Sequence, residues 1–78
     1  MIEEDVILAE FGKSVQKARS NRGWSQEKLA EYSALDRTYV SSVERGQRNI
    51  SLINIYKLAA ALEIAPARLL QVNGGSYE

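Results

Sequence analysis

The stretch Arg37-Thr38-Tyr39-Val40-Ser41-Ser42-Val43-Glu44-Arg45 holds the residues whose types and spacing best suit contact chemistry. Wound as a helix with Arg37 at 0°, the residues Arg37, Ser41, Arg45, Thr38 and Ser42 fall at about 0°, 40°, 80°, 100° and 140°. Tyr39, Val43 and Val40 fall at about 200°, 240° and 300°, on the opposite side, and Glu44 lies at the flank near about 340°. One face therefore carries two guanidiniums and three small hydroxyls, with no acid among them. A guanidinium can donate two hydrogen bonds to guanine O6 and N7. Serine and threonine hydroxyls bond to several base edges, and a threonine methyl can meet the thymine methyl. Small residues also let the helix axis approach those edges. An ordinary solvated helix can show the same face, so the elements around it must decide.

Those elements read as short capped helices. Ser25 is an N-cap, with Gln26 and Glu27 in the first turn and Leu29, Ala30 and Tyr32 facing inward. Ser33-Ala34-Leu35 is a short break. Asp36 is a second N-cap, for a helix from Arg37 to Arg45 closed by Gly46. Two capped helices separated by three or four residues make a helix-turn-helix over about residues 25–46. Before it, Ile7, Phe11, Val15 and Ala18 recur on one face of a helix expected from about Asp5 to Arg22, with Gly23 past its end. Gly12 inside this helix should cost about 1 kcal/mol against alanine. After it, Gly46 to Asn49 reads as a loop, and Ser51 caps a helix to about Leu62 whose stripe is Leu52, Ile55, Leu58, Ala59 and Leu62. Pro66 opens a last short helix to about Leu70, behind the poor cap Ala65. No segment alternates as a strand. The expected fold is all-α, a single compact five-helix domain over residues 1–78 with fraying ends at 1–5 and 73–78.

Other residues fall into place around this motif. Gln26, at the start of the first helix of the pair, can meet a phosphate or simply suit a first turn. Arg48 and Asn49 follow the second helix and can clamp flanking phosphates, or be plain loop residues. Tyr39 can be core, or can reach sugar, phosphate or a thymine methyl. Arg19 and Glu44 flank apolar stripes at helix ends that should meet, which makes a partly buried ion pair that orients two helices. Trp24 is expected as a core plug.

Composition narrows the classes. The chain has no cysteine and no histidine, which removes thiolate sites, the commonest zinc ligand and the usual neutral-pH base. No cofactor or metal is expected. The carboxylates, serines, tyrosines and lysines form no nucleophile–base pairing, so an enzyme is not expected. The net charge is zero, yet residues 11–57 hold nine bases against four acids, while residues 1–10 hold four acids and no base. A neutral total is thus compatible with a basic face. No apolar run approaches the roughly 18 residues of a bilayer span, and Met1-Ile2-Glu3-Glu4-Asp5 is acidic where a signal peptide is basic. No membrane partner and a cytoplasmic location are expected.

The run from Trp24 through Glu31, then Leu35 through Asn49, resembles the Cro/C1-type (XRE-like) helix-turn-helix family. Ser51 through Leu62, and Ile64-Ala65-Pro66 through Leu70, are similar to that family's last two helices, so the resemblance covers about residues 9–71. It implies the lambda-repressor-like five-helix fold, a homodimer and double-stranded DNA with a pseudo-palindromic operator read in the major groove. The Arg19–Glu44 pair matches a recurrent ion pair of the family. Within it, Leu35-Asp36-Arg37-Thr38-Tyr39, Glu44-Arg45 and Arg48-Asn49 resemble the controller proteins of restriction-modification systems. That likeness implies base contacts by Arg37 and Thr38, with Tyr39 close to the DNA, and backbone contacts by Gln26, Arg48, Asn49 and Ser51. Ser41 and Ser42 join the base-reading set from their place on the face, and Arg45 is a base or backbone contact. The surplus apolar residues Ile53, Tyr56, Leu70 and Val72 are assigned to a dimer interface, or else to a second layer of core. RNA polymerase is a further candidate partner. The alternatives are a phage-type repressor, an antitoxin, or a protein-interaction module that does not bind DNA.

Overall fold

Ser25, Asp36 and Ser51 each stand in extended backbone just before a helix, and each side chain accepts a hydrogen bond from that helix's first turn. The donors are the Lys28, Thr38 and Asn54 amides, at 3.1, 3.0 and 3.2 Å. These caps satisfy N–H groups that the helices cannot pair internally. They fix where three of the five helices start. In this computed structural model, which describes residues 3–71, the helices are α1 (Glu4–Asn21), α2 (Gln26–Ser33), α3 (Arg37–Glu44), α4 (Leu52–Leu62) and α5 (Pro66–Leu69). No strand occurs among the described residues. The all-α five-helix architecture is the expected one, with ends shifted by a residue or so.

The core takes one or more residues from every helix: Phe11 and Val15, Leu29 and Ala30, Val40 and Val43, Leu58, Ala59 and Leu62, and Leu69. α3 packs on α1 and α2, α2 also rests on α4, and α5 closes the gap between α4 and α1. Val40 and Val43 are the inward side of α3, so its other side must face away from the bundle.

Three expectations fail. Ser33 is not part of the break but the last residue of α2, and it is buried. Its hydroxyl donates to the Leu29 carbonyl at 2.6 Å, so a polar residue sits inward with its bonding met by its own helix. Tyr32 is correspondingly turned out to solvent, edge-on to Trp24 at 4.9 Å between ring centroids. Leu52, expected in the inward stripe of α4, is exposed. It lies in the first turn of α4, at the edge of the stripe. Trp24 is half-buried against the core, with the Arg22 guanidinium 4.5 Å above its ring.

Gly46 ends the α3 region at φ +75°, and a Cβ there would lie 2.9 Å from the Ala9 Cα and 3.1 Å from its amide nitrogen. Both obstacles are main chain. Gly46→Ala should lower stability by about 2 kcal/mol, combining left-handed strain with overpacking against α1. Gly23 also has a positive φ, +71°, but has open space around it. Chemical denaturation of both alanine variants should therefore rank Gly46→Ala as the more damaging.

Candidate nucleic-acid interface

The outward face of α3 begins at its cap. Arg37 and Thr38 are exposed in the first turn, while Ser41 and Ser42 are half-buried one turn later. Arg45, the C-cap residue, is exposed, and its guanidinium donates to the Ser41 hydroxyl and, at 3.2 Å, to Gln47 Oε1. Arg48 reaches back from the following loop: its Nε donates to Ser42 Oγ at 3.2 Å, and its guanidinium lies 5.1 Å from the centre of the Tyr39 ring. Ser42 in turn donates to the Tyr39 carbonyl at 2.9 Å. Arg37, Arg45 and Arg48 take part in no ion pair among the described residues. Their charge is left for a partner.

Tyr39 is half-buried against the core, and its hydroxyl accepts a bond from Asn54 Nδ2 at 3.1 Å. Packing and edge exposure are thus both true of it. Asn54 is a residue that the sequence reading missed. Only the meeting of α3 with the first turn of α4 gives it a role, which is to aim the Tyr39 ring. Asn49 and Ser51 are exposed near Arg48, with the Ser51 hydroxyl engaged as a cap.

Beneath α3 lies a network that holds it. Arg19 Nε and Nη2 donate to the two Glu44 oxygens at 2.7 and 3.0 Å, and Nη1 donates to the Trp24 carbonyl at 2.7 Å. The two side chains are 13% and 3% exposed. The Glu44 hydrogen bond holds the Arg19 guanidinium above its ordinary pKa, against burial and with help from the carboxylate's charge. Gln26 joins them, with Nε2 donating to Glu44 Oε1 at 2.9 Å. Its amide keeps a second N–H, at the start of α2 on the side toward α3. No buried side-chain nitrogen or oxygen among the described residues lacks a partner.

Asp36 is the other charged group at this surface. Its carboxylate accepts from both the Thr38 hydroxyl and the Thr38 amide. Those two bonds, the hydroxyl first, hold its pKa below the ordinary 3.8. The cap's contribution to stability is therefore complete above the unfolded value and is lost as pH falls through the lower folded one. Acid titration of stability should show this loss in the wild type below about pH 4. Asp36→Asn should lose that part of the acid dependence, and an unchanged acid limb would contradict the assignment.

Ile53, Tyr56 and Leu70 are 65%, 57% and 53% exposed, and Leu52 joins Ile53 at 65%. They are not a second layer of core. Val72, expected beside them, lies outside the described residues.

Two short capped helices joined at Ala34–Asp36, the second baring cations and hydroxyls, define a helix-turn-helix protein. The helix-turn-helix family matches residues 15–69, and the chain belongs to it. A hypothetical transcription factor of Neisseria meningitidis serogroup B is 50% identical over 68 residues, which cover 87% of this chain and 64% of that protein. Control protein C.BamHI of Bacillus amyloliquefaciens is 51% identical over 61 residues, covering 77% of this chain and 75% of its own. Among solved structures, the restriction-modification controller protein C.AhdI of Aeromonas hydrophila is 56% identical with a TM-score of 0.79, covering 80% of this chain and 94% of its own. The restriction-modification controller protein C.Esp1396I, solved as a tetramer on its natural 35-base-pair operator, is 33% identical with a TM-score of 0.75, covering 81% and 83%.

Proposed function

We propose that this protein is a sequence-specific DNA-binding transcriptional regulator, a controller of a restriction-modification system, which acts as a homodimer on a pseudo-palindromic operator. The observation that carries it is the free face of α3, where Arg37, Thr38, Ser41 and Ser42 stand ready for base edges and Arg45 for a base or phosphate. Gln26, Arg48, Asn49 and Ser51 flank that face as phosphate contacts, and Tyr39 lies beside it. The kinship with control proteins supports the finer assignment. The exposed Leu52, Ile53, Tyr56 and Leu70 supply the apolar surface for a second copy, with Val72 assigned to it from sequence. A two-fold axis there would set two α3 helices into successive major grooves, about 34 Å or roughly 10 base pairs apart.

The protein would act by binding, with no chemical step of its own. At a promoter it would meet RNA polymerase. A cytoplasmic setting fits, and no helix among the described residues is long and apolar enough to cross a membrane.

Binding-site selection followed by salt titration is the test. The logarithm of affinity should fall linearly with the logarithm of salt as phosphate contacts release counterions. Arg37→Ala should cost about 1–3 kcal/mol and relax one base position per half-site, whereas Arg48→Ala should weaken all sequences alike. A uniform loss for Arg37→Ala would remove it from the base-reading set. Recovery of no sequence at all would favour the protein-interaction module instead.

A further inference from the structure

The hydroxyl of Thr38 is not free to choose its role. An ionised carboxylate can only accept, so in the contact between Thr38 Oγ1 and Asp36 Oδ2 the hydroxyl proton belongs to Asp36. The Thr38 amide donates to the same oxygen at 3.0 Å, which fixes that carboxylate across the mouth of α3. Thr38 is exposed, and what it then presents outward is oxygen lone pairs and a methyl group. Arg37, its neighbour, presents only N–H donors.

We infer that Asp36 is a specificity-determining residue: by holding the Thr38 hydroxyl proton, it makes Thr38 a hydrogen-bond acceptor that selects a base carrying a major-groove amino group. Only two bases do, adenine through N6 and cytosine through N4; guanine and thymine present acceptors at the corresponding positions. Asp36 does this without touching a base, and it acts through Thr38 as a positioning residue. Its negative charge also opposes nearby phosphates, so it raises discrimination at the expense of general affinity. The low pKa of Asp36 agrees with a carboxylate that stays charged whenever the protein is folded near neutral pH. The other hydroxyls of the face are committed differently. Ser41 accepts from Arg45, and Ser42 both donates to Tyr39 and accepts from Arg48. Of the three, Thr38 is the one that is exposed and whose proton an ionised acceptor holds.

The inference rests on the proposed DNA-binding function, and the experiment separates the two. The full chain is first used to select binding sites from random duplex. Fluorescence anisotropy then compares the selected duplex with versions in which one adenine is replaced by purine, or one cytosine by pyrimidin-2-one, so that a single amino group is lost. The expected result is one position per half-site where this loss weakens the wild type about tenfold. Thr38→Val, which keeps the methyl and loses the oxygen, should be indifferent there. Asp36→Asn, capping through a carbonyl oxygen in the place of Oδ2, would still take the Thr38 proton, so the test is Asp36→Gly, a tolerated N-cap that has no side-chain acceptor and releases that proton. Asp36→Gly should lose the amino preference, tolerate guanine or thymine at that position, and bind non-specific duplex more tightly. Circular dichroism confirms that each variant is folded. An Asp36→Gly protein whose base preferences match the wild type at every position would overturn the inference, leaving Asp36 a cap only. So would a wild type indifferent to every single amino deletion. Failure to select any duplex would instead bring down the DNA-binding reading itself.

Discussion

Glu44→Ala is expected to lower the free energy of unfolding by about 3–5 kcal/mol, the range for removing one partner of a buried ion pair. A chain of this size has on the order of 4–12 kcal/mol in total, so the variant should be close to unfolding at room temperature. The size of the loss follows from what is left behind. All three Arg19 nitrogens are committed, two of them to Glu44 and one to the Trp24 carbonyl, and the guanidinium is largely out of water. Without the carboxylate it is a buried charge with one neutral acceptor, and Gln26 Nε2 loses its acceptor as well. The charge itself is the problem, so removing it should help: Arg19→Met combined with Glu44→Leu should be clearly more stable than Glu44→Ala alone. Urea unfolding followed by circular dichroism would measure this as a shift in midpoint at constant slope. A loss below about 1 kcal/mol, the scale of a surface pair, would mean that the network is open to water. DNA affinity adds a second readout. Glu44 anchors Gln26 at one edge of the outward α3 face, so if Gln26 is the phosphate contact proposed above, Glu44→Gln, which stays folded more readily, should weaken binding to all sequences alike.

What the sequence could and could not reveal divides along a physical line. Ser25, Asp36 and Ser51 announce helix starts because a cap bonds its own first turn, and nothing distant is needed. The face of α3 is legible for the same reason: eight residues with two valines to bury have one way to turn. Ser33 and Tyr32 depart from expectation because polarity alone does not decide which residues turn inward. A serine whose hydroxyl bonds its own helix can be buried without penalty, and a tyrosine can spend its area on a neighbouring tryptophan at the surface. Asn54 on Tyr39, Gln26 on Glu44 and Arg48 on Ser42 were out of reach, since each depends on which element lies alongside. The surplus of apolar residues on α4 and α5 was visible from sequence, and the fold settles that Ile53, Tyr56 and Leu70 are not spent on the core.

Gly12 shows the same division with its sign reversed. By helix propensity Gly12→Ala in the middle of α1 should stabilise by about 1 kcal/mol. The fold predicts the opposite. A Cβ at Gly12 would lie 2.5 Å from the Val43 carbonyl oxygen and 2.6 Å from that of Glu44. Both are main-chain atoms at the end of α3, with no flexible side chain to move aside, so α1 would have to retreat by on the order of 1 Å from a close-packed neighbour. That retreat would loosen Phe11 and Val15 from Val40 and Val43, and it would stretch the Arg19–Glu44 bonds that span the same two helices. The expected net loss is about 3 kcal/mol, at the upper end of ordinary overpacking, or a fall in Tm of roughly 10–20 °C for a domain of this size. Lys13→Ala, next along α1 and exposed, supplies the control and should leave Tm nearly unchanged. A Gly12→Ala protein that melts at or above the wild-type temperature would mean that the two backbones do not touch. α3 would then be held by side chains alone.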